Sequence, residues 1–269
     1  MISGYGLHTG APSWVRLHRD EGPVRFRLGR GEILARLETV SDTRRSTTLG
    51  QGGYRVTTVE HLLAALYVRG WWEGLVIEVS AEEVPILDGS AAPWLSLIGG
   101  LGTPPKPPPG FVISEAFSVQ QGDSLCCVRP GETRLCAEIA FEHPAIGQQR
   151  WCGAPEHYES LLSARTFGFL SDLEKLRESG LATAASLENA VVYDEEKPLA
   201  KLRFDDEPVR HKALDALGDF YLLGRPLLGE LTIKRGSHEA HIHFARALLQ
   251  EAMLLSLLPA AAGDPGEPL

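Results

Sequence analysis

The stretch GGLGTPPKPPPG, Gly99–Gly110, decides how the rest of the chain divides. Its prolines and glycines are too dense for a helix or a ladder-bonded strand, so it reads as a linker. Before it, Ser13–Leu17, Val24–Leu28 and Leu75–Val79 have the apolar and β-branched patterning of strands, and Val59–Val68 has helical spacing. After it the order repeats. Phe111–Val119, Ser124–Val128 and Arg134–Phe141 read as strands, and Tyr158–Ser163, Ser171–Ser179 and Val209–Leu223 as helices. Glu239–Leu255 reads as a closing helix and Pro259–Leu269 as a frayed tail. The expectation is an α+β chain of two sheet-and-helix layers, domains 1–103 and 111–269 joined by the Pro-rich segment 104–110.

The 269 residues are 43% hydrophobic, enough for real cores, and the formal net charge is −9. An acidic chain argues against general nucleic-acid binding, which needs a basic face to displace counterions from phosphates. No run approaches the roughly 18 apolar residues of a membrane span. The opening MISGYGLHTG lacks the basic and apolar regions of a signal peptide, so a cytoplasmic protein is expected, and nothing demands more than a monomer. Cys126, Cys127, Cys136 and Cys152 follow no zinc-ribbon or redox spacing. They read as small buried or half-buried residues in a reducing compartment.

Three clusters carry candidate chemistry. In VRHKALDALGDFYLLG, His211, Asp215 and Asp219 recur at helical spacing on one face, among apolar Leu214, Leu217, Phe220 and Leu222. Imidazole and carboxylate at i, i+4 can reach one metal ion, although a hydrogen-bonded His–Asp pair explains the spacing equally. In TTVEHLLAALYV, Glu60 and His61 open an apolar helix; a third ligand beside a free carboxylate suits a zinc hydrolase, and a glutamate favoured by the helix dipole suits a purely structural role. In IKRGSHEAHIHF, His241 and His243 differ by two residues and point to different helix faces. Only His238 is expected to face a site, the other two being surface residues.

Taken together these stretches resemble the UDP-3-O-acyl-N-acetylglucosamine deacetylases (LpxC), zinc enzymes of lipid A synthesis. The likeness runs in order through GYGLHTG (4–10), SDTRRSTTLG (41–50), VEHLLAAL (59–66), EVPILDGSAAP (83–93), FEHPAIGQQ (141–149), ARTFGF (164–169) and RHKALDALGD (210–219). It implies a sandwich of two α+β domains, helix layer against helix layer, with the active site between them. His61, His211 and Asp215 match the zinc ligands, a donor set that iron(II) also suits. Glu60 matches the general base, His238 the second catalytic residue with Asp219 as its partner, and Thr166 a hydroxyl that stabilises the oxyanion. Lys212 resembles a substrate-contacting lysine. The acyl chain implies an apolar slot formed by a βαβ insert near Gly180–Leu199, with Leu170, Leu173, Ala182, Ser186, Ala190 and Val192 as wall residues and Phe167 and Phe169 nearer the sugar.

The implied substrate is an acylated UDP-N-acetylglucosamine, with at most transient contact with a membrane surface. In RGSH the family's glycine directly before the catalytic histidine is replaced by Ser237, with Gly236 one position earlier, so a different turn is expected there. A nucleotide-sugar-binding paralogue without turnover and a zinc deacetylase of another sugar amide are the competing readings. Metal content together with acetate release separates them.

Overall fold

The computed structural model of the protein describes residues 1–257; the tail read from Pro259 onward lies outside them. The chain opens with strands β1 (Ile2–Tyr5), β2 (Pro12–Pro23), β3 (Arg25–Leu28) and β4 (Gly31–Leu34). A small antiparallel sheet follows: β5 (Val40–Asp42), β6 (Thr48–Gln51) and β7 (Tyr54–Val56). Helix α1 (Glu60–Arg69), strand β8 (Glu73–Val79) and helix α2 (Ala92–Gly99) complete the first half. No helix or strand is formed between Gly102 and Gly110, in keeping with a segment that lacks most of its backbone donors.

The second half runs β9 (Phe111–Val112), β10 (Phe117–Gln121), β11 (Ser124–Arg129), β12 (Arg134–Ala140) and β13 (Gln148–Gly153). Then come β14 (Phe167–Phe169), α3 (Leu170–Glu178), β15 (Val191–Tyr193), α4 (Glu207–Tyr221), β16 (Leu227–Leu228), β17 (Glu230–Lys234) and α5 (His238–Leu257). The two large sheets have the same topology. The orders are β1-β2-β8-β3-β4 and β10-β11-β17-β12-β13, and in each a late strand inserts between two hairpins, antiparallel to one and parallel to the other. The protein is thus an α+β fold in which the second half repeats the first.

Helices from both halves meet in the middle. In α1 the run Leu62–Leu66 is buried on every side, which leaves its polar first turn, Glu60 and His61, buried as well. The reason is α4, which lies directly against it: a Cβ built on Gly218 would stand 2.1 Å from the Glu60 carbonyl oxygen. Only glycine admits that approach, and it brings the two polar helix faces together. Gly218→Ala is expected to destabilise the fold by roughly 1–3 kcal/mol, because backbone cannot yield as a side-chain tip can. A denaturation midpoint equal to wild type would contradict this helix contact.

Four expectations are corrected. The strand read over Phe111–Val119 is two: β9 pairs in parallel with β16, whereas β10 pairs with β11 in the large sheet. Tyr158–Ser163 lies in a 3₁₀ helix, Pro155–Ser163. The βαβ unit spans Phe167–Tyr193 and not 180–199, because the short runs FGF and VVY pair in parallel and require α3 as their crossover. Finally, the cysteines are not all free. Cys136 and Cys152 are directly opposed on β12 and β13 and form a disulfide, while Cys126 and Cys127 remain unpaired.

Candidate metal centre and its carboxylate–imidazole pair

Helical spacing on α4 puts His211 and Asp215 on the face that meets the first turn of α1. His211 Nε2 lies 3.3 Å and His61 Nε2 3.8 Å from Asp215 Oδ1. The ligand atoms of these three buried residues all fall within 4.8 Å of one another. His211 Nδ1 is held by the Ala164 carbonyl at 3.2 Å, which places its hydrogen there and leaves the Nε2 lone pair toward the other two groups. Asp215 Oδ2 accepts from Lys212 Nζ at 3.1 Å, but Oδ1 is buried with no hydrogen-bond partner among the described residues.

The electrostatics suit a cation. Burial, helped by repulsion from His211, pushes the His61 imidazole down to about 3, and burial also lowers His211. Burial works to raise Asp215, but His211 and the Lys212 ammonium outweigh it and hold the carboxyl well below its usual range. Two neutral imidazoles and an ionised carboxylate are a donor set for a divalent ion. An orphaned carboxylate oxygen is costly unless such an ion completes it, so these residues fit one.

Beside this triad stands a second polar chain. Glu60 Oε2 accepts from the Thr47 backbone N–H at 3.0 Å, and Glu60 Oε1 lies 3.8 Å from His238 Nε2. His238 Nδ1 in turn lies 2.8 Å from Asp219 Oδ2, and the Thr47 hydroxyl donates to Asp219 Oδ1 at 2.5 Å. Burial pushes Glu60 up to about 7 against the pull of His238. Burial works to lower His238, yet the Asp219 and Glu60 carboxylates raise it to about 9. A carboxylate near neutrality beside a charged imidazole is a base and an acid held within reach of one another.

These groups open on a cavity of about 250 Å³ lined by Glu60, His61, Thr166, Phe167, His211, Lys212, Asp215 and His238, together with His8 and Arg45. Thr166 is fixed through its backbone, donating from N to Gly89 at 2.7 Å and accepting at O from Val191 at 2.8 Å. The residue before it is clamped to the start of α4. Glu207 Oε1 accepts from Arg165 N at 3.0 Å and Arg165 Nε at 2.9 Å, and its Oε2 accepts from Arg203 N at 2.7 Å. That buried pair ties the segment Ala164–Thr166 to the helix that carries His211.

Not every expected residue arrives here. Lys212 lines the cavity, but its ammonium sits on Asp215 and 5.9 Å over the Phe167 ring. Phe169 and Leu170 line a separate cavity of about 870 Å³ with Phe141, His143 and several acidic residues. Leu173, Ala182, Ser186, Ala190 and Val192 line neither cavity. The segment near Ala182 docks instead on the loop before β2: Thr183 Oγ1 donates to His8 O at 2.6 Å, and Ala184 N donates to Leu7 O at 3.1 Å.

His241 is a correction: it is 1% exposed, not a surface residue, and its Nδ1 lies 2.8 Å from Asp219 Oδ2. His243 is exposed as expected. Asp219, His238 and His241 form a second close group, but both imidazole Nδ1 atoms are spent on the Asp219 carboxylate. In the turn before His238, Arg235 and not Gly236 adopts the left-handed conformation, at φ 48°. Sequence reading also passed over Thr47, which holds both Glu60 and Asp219. Its only signal was the dense run of hydroxyls in SDTRRSTT.

The family model described as UDP-3-O-acyl N-acetylglycosamine deacetylase (LpxC) matches residues 1–250. A UDP-3-O-acyl-N-acetylglucosamine deacetylase of Myxococcus xanthus is 42% identical over 274 residues, covering 96% of this chain and 87% of its own length. The deacetylase of the same name from Thermosynechococcus vestitus is 41% identical over 263 residues, covering 93% and 91%. That of Syntrophus aciditrophicus is 38% identical over 260 residues, covering 91% and 82%.

Proposed function

The chain belongs to the UDP-3-O-acyl-N-acetylglucosamine deacetylase family, and from that premise we propose how its own residues carry the reaction. The protein hydrolyses the N-acetyl amide of a UDP-3-O-acylated N-acetylglucosamine to the free amine and acetate, a step of lipid A biosynthesis. His61, His211 and Asp215 hold a divalent ion, zinc by the nature of the donors, with iron(II) the alternative. The observation that carries this reading is Asp215 Oδ1, a buried carboxylate oxygen with no hydrogen bond, aimed at two imidazole nitrogens.

When bound, zinc supplies Lewis acidity, polarising the acetamide carbonyl and acidifying water. Glu60 takes the proton from the attacking water, its second oxygen held still by Thr47. The Thr166 hydroxyl, on the same cavity, donates to the oxyanion that forms on the acetyl carbon. His238, kept charged by Asp219 and Glu60, passes a proton from Nε2 to the departing glucosamine nitrogen. Lys212 and Arg45 give the cavity mouth positive charge toward an anionic UDP-sugar despite the acidic whole. The acyl chain lies along the βαβ unit by way of Phe167, and the segments on either side of 104–110 act as two domains of a monomer. Among the described residues no helix is long and apolar enough to cross a membrane.

The test is acetate release from acylated UDP-N-acetylglucosamine by chelator-stripped protein, with and without added zinc. Restoration by zinc is expected, and stripped protein as active as restored protein would refute the centre. Comparison with the non-acylated sugar nucleotide reads the acyl requirement. A bell-shaped pH profile is also expected. Its alkaline limb lies near the value of about 9 to which His238 is raised, since the acid must stay protonated. Its acid limb lies at or below the Glu60 value of about 7, since the base must stay ionised and a neighbouring dication favours the carboxylate. A profile flat across this range would remove the pair from the mechanism.

A further inference from the structure

His241 stands one turn into α5, and everything around its ring points it at the carboxylate behind His238. Its Nδ1 lies 2.8 Å from Asp219 Oδ2, the same oxygen that His238 Nδ1 approaches at 2.8 Å. Its Nε2 is buried without a partner. The ring is held by the Phe220 ring, 5.7 Å away, and by Gly236, where a Cβ would stand 2.4 Å from His241 Nε2. Among the described residues the imidazole therefore has one polar contact, and that contact is Asp219.

We propose that His241 is a positioning residue for the deacetylation: it donates a second imidazole N–H to Asp219, fixing the carboxylate that orients His238 and sharing the negative charge on which the His238 proton depends. This rests on the reading of His238 as proton donor. A carboxylate offers about four lone-pair directions, and each donor that fills one makes it a weaker base. Thr47 Oγ1 fills one on Oδ1, and His238 and His241 fill two on Oδ2. Removing His241 leaves Asp219 less restrained and more basic. His238 then keeps its proton to higher pH and gives it up less readily. The other groups facing His238 are Glu60 and His61 on α1, His211 and Asp215 on α4 and His8 on the loop before β2, with Arg45 and Lys212 on the same cavity. All are unchanged by the substitution, so the altered donor count on Asp219 is what the experiment reads.

The experiment compares full-length, zinc-loaded wild type with His241→Phe and His241→Asn, measuring kcat and KM across pH. The Phe ring fills the space without a donor, whereas the Asn amide N–H can stand where the imidazole Nδ1–H stands. His241→Phe is expected to lower kcat about 10-fold or more with KM little changed, and to move the alkaline limb upward. His241→Asn is expected to restore kcat to within a few-fold of wild type and to return the limb. Equal losses in both variants, or an unmoved limb in the Phe variant, would overturn the proposal. Should either variant not fold, ¹⁵N-histidine NMR of wild type decides: a proton on His241 Nδ1 supports the arrangement, and a proton on Nε2 instead overturns it. The NMR result does not depend on turnover, so wild type that releases no acetate would sink the deacetylase reading and leave the hydrogen-bond assignment standing.

Discussion

Glu60→Gln is expected to lower turnover by about 10²–10⁴-fold while the protein keeps its full complement of zinc. The two halves of that result have separate causes. Glutamine retains an oxygen for the Thr47 backbone N–H, so α1 keeps its junction with the loop before β6, and His61, His211 and Asp215 are untouched. What is lost is a group able to accept a proton 3.8 Å from His238. Burial also fits Glu60 for this role, because it lifts the carboxyl to about 7, close to the pH at which it must both take and return a proton. Turnover within a few-fold of wild type would mean that another group is the base. Loss of zinc along with activity would mean that Glu60 is a ligand.

Glu207→Ala is expected to cost about 3–5 kcal/mol of stability, the range for removing one partner of a buried ion pair. Arg165 is 8% exposed and Glu207 1%, so water cannot replace the missing charge. The guanidinium would keep only the Lys201 carbonyl, and the backbone N–H groups of Arg165 and Arg203 would lose their acceptor. The same clamp aligns Ala164, whose carbonyl orients His211, and Thr166 on the cavity wall. Reduced zinc affinity should therefore accompany the fall in denaturation midpoint. Glu207→Gln, whose single oxygen can still accept from one of the two backbone donors, should lose less. A loss below about 1 kcal/mol, as at an exposed pair, would show the clamp to be unimportant.

Much of this was legible in the sequence, and the limits have physical reasons. The stretch without helix or strand between Gly102 and Gly110 was plain because proline removes donors whatever surrounds it. The repeat of the first half in the second could be seen in element order but not in residues, since a strand's inner face accepts many apolar side chains. His61, His211 and Asp215 each had a bland explanation until the fold brought α1 against α4. That approach hangs on Gly218, whose importance lies in what it lacks and so leaves no pattern. Thr47 and His241 were missed because their roles depend on contacts with Asp219, 172 and 22 residues away. The disulfide was missed for a related reason: Cys136 and Cys152 acquire meaning only from the register of β12 against β13. The wall of the acyl slot was the weakest reading, because short apolar runs can as easily build a βαβ unit as line a passage.

Everything proposed for the reaction depends on His61, His211 and Asp215 forming the metal centre. Anomalous diffraction at the zinc edge, from crystals of the zinc-loaded protein, locates the ion without reference to turnover. The predicted result is one strong peak about 2.0–2.2 Å from His61 Nε2, His211 Nε2 and Asp215 Oδ1, with Glu60 facing its open side. A peak held by Asp219, His238 and His241 instead, or none between α1 and α4, would contradict it.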